Sequence, residues 1–380
     1  MALVTNIVIQ GDSIEELAKL PPDSVDLVFA DPPYWMRVEG VLKRVEGTDF
    51  DGCDDEWDQF DTLTDYETFT KDWLSAVKRV LKPNGSLWVI GGMQCIYTIG
   101  GIMQQLGFWL INDVVWAKTN PTPNFKGTRL TNSHETLIWA TKTEKTKPTF
   151  NYKTAKELNV DTVTPSEHDK GVRKQLGSVW RIGVAQGSER VKDDRGNKLH
   201  TTQKPEELLR RVIAIASRPG DIVLDPFGGT MTTGVVAKKM GREYIMIEKD
   251  PTYAAYGRRR LDATSALELG PVETASFDKK PTKATWADMI AAGFFTVGEN
   301  LYLKGETSPA GTLADGGKIL VTGTTTPTDI HSTAAQLKNA KADRLNGFDH
   351  WYVERDGTLV GIKTVREHYR TAVTSSLAEG

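Results

Sequence analysis

Cysteine is nearly absent from this chain, whose 380 residues include only Cys53 and Cys95. With no CxxC pair and no histidine at metal-ligand spacing, a disulfide framework and a zinc ribbon are both excluded, and the two thiols are expected to be free. His134 and Glu135 open like a zinc-protease helix, but Ile138 stands where the second histidine is needed, so no metal is expected. Long apolar runs are missing too. No stretch approaches the roughly 20 residues that cross a bilayer, and the opening MALVTNIVIQGD has neither a basic head nor a small-residue cleavage site. The expectation is a cytoplasmic protein with no membrane segment. A GxGxxG fingerprint is absent, which argues against a nicotinamide-dependent oxidoreductase. Basic excess is lacking as well: the formal net charge is −3, so contact with nucleic acid has to come from local patches.

Such patches are present. Residues 46–72 are dominated by acids and read as a solvated face, whereas residues 118–211 carry about eight net positive charges and read as a phosphate-contacting stretch. The length suits two domains. Residues 1–263 read as an α/β domain, 264–282 as a linker, and 283–372 as a small α+β accessory domain. Residues 7–9 and 25–30 read as short buried strands that stop at the polar turns Gly11-Asp12 and Asp31-Pro32-Pro33. Helices fit residues 13–19 and 66–81, the second stopped by Lys82-Pro83-Asn84-Gly85. Strands follow at 86–90, 114–116 and 136–140, and residues 142–199 read as loop-rich. Order returns with helices over 205–217, 233–240 and 251–260 and strands at 222–224 and 244–247. This alternation predicts a largely parallel sheet. Beyond the linker a helix is predicted near 286–292, with short strands at 300–304, 318–321 and 350–354. Trp73, Trp88 and Trp139 are assigned to the core.

Asp31-Pro32-Pro33-Tyr34 lies at the carboxyl end of a buried strand, where open α/β sheets place their ligand crevice. An exocyclic amine on a nucleobase is a poor nucleophile because its lone pair is delocalised into the ring. A carboxylate such as Asp31 together with the Pro32 carbonyl can draw that amine toward tetrahedral geometry. Pro32 and Pro33 stiffen the turn, and Tyr34 offers a flat face to a flipped base. A proline turn with an N-cap aspartate would look the same in isolation. A second motif, Asp225-Pro226-Phe227-Gly228-Gly229-Thr230-Met231-Thr232-Thr233-Gly234, also joins a strand to a helix. Its glycines allow close backbone approach to a nucleoside, and Glu248, about 20 residues on, ends the next strand where an acid commonly takes ribose hydroxyls.

Together these motifs resemble the β class of DNA amino-methyltransferases, over roughly residues 5–262. The resemblance implies a Rossmann-like, S-adenosylmethionine-dependent methyltransferase fold in circularly permuted motif order. It further implies that Asp12 contacts the cofactor adenine and Glu248 its ribose, with Lys204, Asp225, Phe227, Gly229, Thr232 and Thr233 lining the methionine side. One departure stands out: the family pattern has a second glycine where this chain has Met231.

The stretch from Asn120-Pro121-Thr122-Pro123-Asn124-Phe125-Lys126-Gly127-Thr128-Arg129 through His134-Glu135-Thr136-Leu137 is similar to the cell-cycle-regulated adenine methyltransferases of bacteria and their restriction-associated relatives, which act on G-A-N-T-C. Asn120 and Asn124 are candidates for reading base edges, and Lys126 and Arg129 for holding phosphate. Residues 35–47 form a loop after the catalytic motif, in which Leu42 and Arg44 are candidates for entering DNA. In the C-terminal module Asn346, Phe348 and Trp351 occupy positions that match those relatives and are further DNA-contact candidates. The implied partners are double-stranded DNA and a second copy of the chain. Cytosine N4 methylation and adenine methylation in RNA use the same fold and stay open as alternatives.

Overall fold

The computed structural model describes residues 3–35, 42–43, 49–50, 60–124, 128–159, 174–266, 284–338 and 345–376. The chain divides into two compact units, Met1–Asp278 and Lys279–Gly380. The division falls inside the stretch that reads as a linker. Of that linker, residues 267–282 lie outside the described part.

The larger unit runs β1 (Ile7–Gln10), α1 (Ser13–Lys19), β2 (Val25–Ala30), β3 (Leu42–Lys43), β4 (Asp49–Phe50), α2 (Leu63–Val80), β5 (Leu81–Gly91), α3 (Ile96–Gln105), β6 (Trp109–Lys118) and β7 (His134–Thr141). It continues through α4 (Tyr152–Glu157), β8 (Val179–Ile182), α5 (Glu206–Ala216), β9 (Ile222–Asp225), α6 (Thr232–Lys239), β10 (Glu243–Glu248) and α7 (Pro251–Asp262). Eight strands form one sheet in the order β1-β10-β9-β2-β5-β7-β6-β8. From β1 to β5 all neighbours are parallel, β7 is antiparallel to both β5 and β6, and β8 runs parallel to β6. The sheet is therefore mixed at one side, where a wholly parallel pattern would need a crossover helix between β6 and β7. β3 and β4 pair separately as a short antiparallel ribbon.

Local sequence explains the elements that frame the crevice. α2 starts at Thr62, whose hydroxyl accepts from the Asp65 amide while Asp65 reaches back to the Thr62 amide, a reciprocal cap that satisfies two otherwise orphaned donors. Tyr66, Thr70, Trp73, Leu74, Val77 and Val80 then recur at helical spacing and are all buried. Residues 82–85 do not form a separate turn: β5 begins at Leu81, and the register between β2 and β5 shifts there to take up the extra residues. β2 and β9 sit side by side in the middle of the sheet and are buried almost throughout, as strands covered on both faces must be. On the other side Trp88 of β5 stacks on Trp139 of β7, ring centroids 5.2 Å apart, with Trp180 of β8 beside it. β8 and α4 lie in the stretch that reads as loop-rich, and the pairing of Val179–Ile182 with β6 is a tertiary contact that local periodicity does not reveal.

In the smaller unit α8 (Trp286–Ala291), β11 (Asn300–Leu303), β12 (Gly311–Ala314), β13 (Lys318–Val321), β14 (Thr328–Asp329), α9 (Ile330–Leu337), β15 (Trp351–Arg355), β16 (Thr358–Gly361) and α10 (Ile362–Ser376) follow in order. Its six strands form an antiparallel sheet, β14-β13-β12-β11-β15-β16, over a separate core that contains Met289, Phe295, Leu301, Leu313, Ile319, Trp351 and Ile362.

Candidate active site

β2 and β9 are neighbours, but the chain leaves β2 for β5 toward one edge of the sheet and leaves β9 for β10 toward the other, so a crevice opens at their carboxyl ends. Asp31 caps β2 there, and Asp225 ends β9. A cleft of about 760 Å³ runs from this point toward the ends of β1 and β10, lined among others by Asp12, Asp31, Tyr34, Lys204, Phe227 and Glu248.

Asp31 is held asymmetrically. Its Oδ2 accepts from the Lys204 ammonium at 2.6 Å, while Oδ1 is buried and has no partner among the described residues. Burial pushes the Asp31 carboxyl up, and the Lys204 ammonium opposes that rise. The Pro33 carbonyl accepts from the Tyr66 hydroxyl at 2.9 Å, which ties the proline turn to α2. Tyr34 is nearly buried; its hydroxyl donates to Glu135 Oε2 at 2.9 Å, and Lys204 Nζ lies 5.1 Å from its ring centroid. Glu135 Oε1 in turn accepts from Lys118 Nζ at 2.7 Å. Burial opposes ionisation of Glu135, but the ammonium groups of Lys204 and Lys118 outweigh it and hold this carboxyl below the usual range.

The second half of the cleft is built on the turn between β9 and α6. Asp225 accepts from the Thr233 hydroxyl at 2.6 Å and the Phe227 amide at 2.9 Å, and burial pushes its carboxyl up to about 7. Gly229, at φ 50°, donates its amide to Glu248 Oε2 at 2.7 Å; Glu248 Oε1 takes the Asp250 amide at 2.7 Å. Asp12 caps α1 by accepting from the Ile14 amide. Phe227 packs edge-on to Trp73 of α2, ring centroids 5.4 Å apart. Thr232 also lines the cleft and takes a hydrogen bond from Arg260.

Two lines of likeness meet this geometry. A family model described as DNA methylase matches residues 25–259. The chain is also 44% identical over 368 residues to the Type II methyltransferase M.HinfI of Haemophilus influenzae, covering 96% of either chain. The chain belongs to this DNA methylase family. A second relative, the Type II methyltransferase M2.DpnII of Streptococcus pneumoniae, is 37% identical over 258 residues, 68% of this chain and 90% of that one. Among solved structures the PvuII DNA methyltransferase (cytosine-N4-specific) superposes with a TM-score of 0.50 at 23% identity, over 68% of this chain and 87% of its own, a likeness of fold.

The fold of the methyltransferase is thus the Rossmann-like one of its family, and S-adenosylmethionine is its methyl donor. The cleft fits such a molecule. Its size is that of a nucleoside-bearing ligand. Five carboxylates, Asp12, Asp31, Asp225, Glu248 and Asp250, line it against the two ammonium groups of Lys204 and Lys249, a balance that favours a cationic ligand. Met231, the departure from the family pattern, does not enter the cleft. Its backbone adopts φ 62° and its side chain is fully buried against α7, where a Cβ on Gly257 would stand 2.2 Å from Met231 Cγ. Gly257 supplies the room that this methionine fills.

The DNA-side candidates fare unevenly. Trp351 is fully buried in the core of the smaller unit, its indole N–H donated to the Ile330 carbonyl at 3.2 Å, so it is corrected from a DNA contact to a core residue. Its position close to half-buried Phe348 in the sequence misleads the pattern. Asn120 turns its carbonyl oxygen inward to the Val184 amide at 2.8 Å, which rules out a bidentate grip on a base while that bond holds. Trp35, at the start of the loop that reads as a DNA wedge, is instead an anchor: its indole N–H donates to the Phe60 carbonyl and its ring stacks on Tyr66. Asn124 has a buried carbonyl oxygen with no partner among the described residues, and Arg129 is exposed. Asn346 is exposed and donates to Asp349, and Phe348 stacks between Trp286 and the Arg366 guanidinium. Lys126 and Arg44 lie outside the described residues, as does the side chain of Leu42.

The structure adds residues that the motifs do not single out. Glu135 and Lys118 join the corner around Asp31 and Tyr34 from β7 and β6. His200 and Tyr253 line the donor side with ring centroids 4.9 Å apart, and burial lowers the His200 imidazole to about 4, so it is neutral at ordinary pH. His200 lies four residues before Lys204 in an unbroken polar run, the one signal that points to it. Cys95 is buried and its thiol is pushed up to about 12, which leaves it unreactive. Among the described residues no group of side chains is suited to hold a metal, and no helix is long and apolar enough to cross a membrane.

Proposed function

We propose that the methyltransferase modifies N6 of an adenine rotated out of double-stranded DNA, within the sequence G-A-N-T-C. The observation that carries the reading is the buried Asp31 Oδ1, without a partner among the described residues, in the cleft that Tyr34 also lines. An aspartate here, where a serine would favour cytosine N4, supports adenine. The likeness to M.HinfI across nearly the whole chain, and the 120–140 stretch, support the target sequence.

In this reading Asp12 and Glu248, at the ends of neighbouring strands, take the adenine and ribose of the donor. Asp225, Phe227, Gly229, Thr232 and Thr233 line its methionine side. When bound, S-adenosylmethionine supplies a methyl group activated by the positive sulfur. Asp31 Oδ1 and the Pro32 carbonyl accept the two hydrogens of the target amine, which brings its lone pair out of conjugation. Tyr34 supports the base face, and the stiff Pro32-Pro33 turn fixes the acceptors so that little reorganisation is needed. No covalent enzyme intermediate is involved. Asn124, Lys126, Arg129, Leu42 and Arg44 are proposed to contact DNA from the larger unit, Asn346 and Phe348 from the smaller. A homodimer is the assembly that the resemblance implies.

The test is methyl transfer from labelled S-adenosylmethionine to duplexes with and without G-A-N-T-C, beside Asp31→Ala, followed by nucleoside analysis. Site-dependent N6-methyladenine that vanishes in the variant is the expected result. N4-methylcytosine, or labelling of RNA alone, would overturn the substrate while leaving the family intact.

A further inference from the structure

The sequence places Lys204 among the cofactor-lining residues, yet its ammonium points at the catalytic carboxylate. It is nearly fully buried. Its Nζ donates to Asp31 Oδ2 at 2.6 Å and to the Thr202 carbonyl at 3.1 Å, and sits over the Tyr34 ring. The Thr202 bond is a short-range tether: it fixes the side chain of a residue two positions on, just before α5, while its ammonium reaches Asp31. A buried ion pair of this kind is weak evidence for stability, since well-packed apolar side chains often do as well. Its position suggests a different use. With Oδ2 engaged, the Asp31 carboxylate cannot rotate freely, and Oδ1 is the oxygen left for an incoming donor.

We propose that Lys204 is a positioning residue for methyl transfer: it keeps Asp31 ionised and turns Oδ1 toward the target amine. This deepens the function proposed above and rests on Asp31 as the amine acceptor. The chemistry requires the charge. The amine lone pair forms the N–C bond as the S–C bond breaks and its electrons stay on sulfur; the nitrogen then gives up one proton, by way of Asp31 Oδ1, to water. A neutral Asp31 would present a hydroxyl to the amine at the start and have no acceptor for that proton. Around Asp31, burial and the Glu135 carboxylate disfavour the charge, and the Tyr34 hydroxyl favours it. Cys95 and Asp225 also face it, and Lys118 is engaged with Glu135. Among the described residues Lys204 is the cation in direct contact. Its removal leaves a buried carboxyl without compensation, so the acid limb of the rate moves to higher pH; an opposite charge at this distance is worth roughly one to three pH units.

The experiment uses the full-length enzyme, single-turnover methylation of its duplex from pH 5 to pH 9.5, and equilibrium dialysis of S-adenosylmethionine. Transfer by the wild type and its loss in Asp31→Ala first establish the underlying reaction, so a failure there is distinct from a failure of this proposal. Lys204→Met is then expected to slow transfer about 100-fold at neutral pH, to shift the acid limb upward by at least about one pH unit, and to recover part of the rate at pH 9. Donor affinity is expected to stay within about threefold, because the ammonium is spent on Asp31 and Thr202. Lys204→Arg, which keeps the charge, is expected to hold the acid limb near its wild-type place even if the rate falls. Thermal unfolding identifies a variant that has not folded, and Lys204→Gln, polar but neutral, then takes the place of Lys204→Met. An unmoved acid limb in the neutral variants, or a loss confined to donor affinity, overturns the proposal and returns Lys204 to the cofactor.

Discussion

At the scale of single residues, the corner around Asp31 is a chain of charged and polar groups and not an isolated aspartate. Asp31, Lys204, Tyr34, Glu135 and Lys118 alternate from β2 through the turn before α5 to β7 and β6, and the Tyr34 hydroxyl joins the last pair to the base pocket. If the Lys118–Glu135 pair serves to hold the Tyr34 ring, removing either end of the Tyr34–Glu135 hydrogen bond costs the same interaction. Tyr34→Phe and Glu135→Gln are each expected to lower the single-turnover rate by about tenfold, and the double variant by little more than either alone. A double-mutant cycle on transfer rates reads the coupling directly, of the order of 1–3 kcal/mol for a hydrogen bond to a charged group. Additive losses would show that Glu135 acts elsewhere. Asp31 and Tyr34 are legible as a motif because they are contiguous in sequence. Glu135 is not, because a carboxylate at the start of a strand has no meaning until β7 is placed beside β5 and a tyrosine 101 residues away reaches it.

At the scale of elements, the turn between β9 and α6 shows how a departure from a family pattern is absorbed. Glycine adopts a left-handed backbone without penalty, whereas Met231 does so at φ 62° at a cost of about 1–2 kcal/mol. The fully buried side chain returns more than that: truncating a buried methionine costs about 2–5 kcal/mol. Met231→Gly is therefore expected to destabilise the protein by about 1–3 kcal/mol, seen as a lower midpoint in denaturant unfolding. Dialysis is expected to find donor affinity little changed, since the side chain packs on Gly257 and not in the cleft. A stabilised variant would mean that backbone strain outweighs packing here. The helices and strands of the donor half are readable from periodicity and turn residues, helix 13–19 to the residue. The antiparallel entry of β7 and the edge strand β8 are not, because pairing direction and edge position depend on partners far away in sequence; the helices α9 and α10 are also not among the elements predicted from the sequence.

At the scale of the whole molecule, the family model ends at residue 259, before the smaller unit begins, while the likeness to M.HinfI covers 96% of the chain and so takes that unit in. The donor cleft is lined wholly by residues of the larger unit, and the smaller unit has its own sheet and core. The cleft and the additional module thus rest on separate cores. Of the two residues proposed to contact DNA from that module, Asn346 is exposed, whereas the half-buried Phe348 ring packs on Trp286 and the Arg366 guanidinium. A chain ending at residue 278 is accordingly expected to bind S-adenosylmethionine as the full protein does but to bind its duplex at least about tenfold more weakly. Its affinity should also fall less steeply with salt, by about 0.9 in the logarithmic slope for each phosphate that the smaller unit neutralises. Titration of a labelled duplex at several salt concentrations gives both quantities. Unchanged affinity with an unchanged slope would remove Asn346 and Phe348 from the DNA interface and leave the smaller unit to folding or self-association. A weaker affinity with the same slope would place its contacts on bases and not on phosphates.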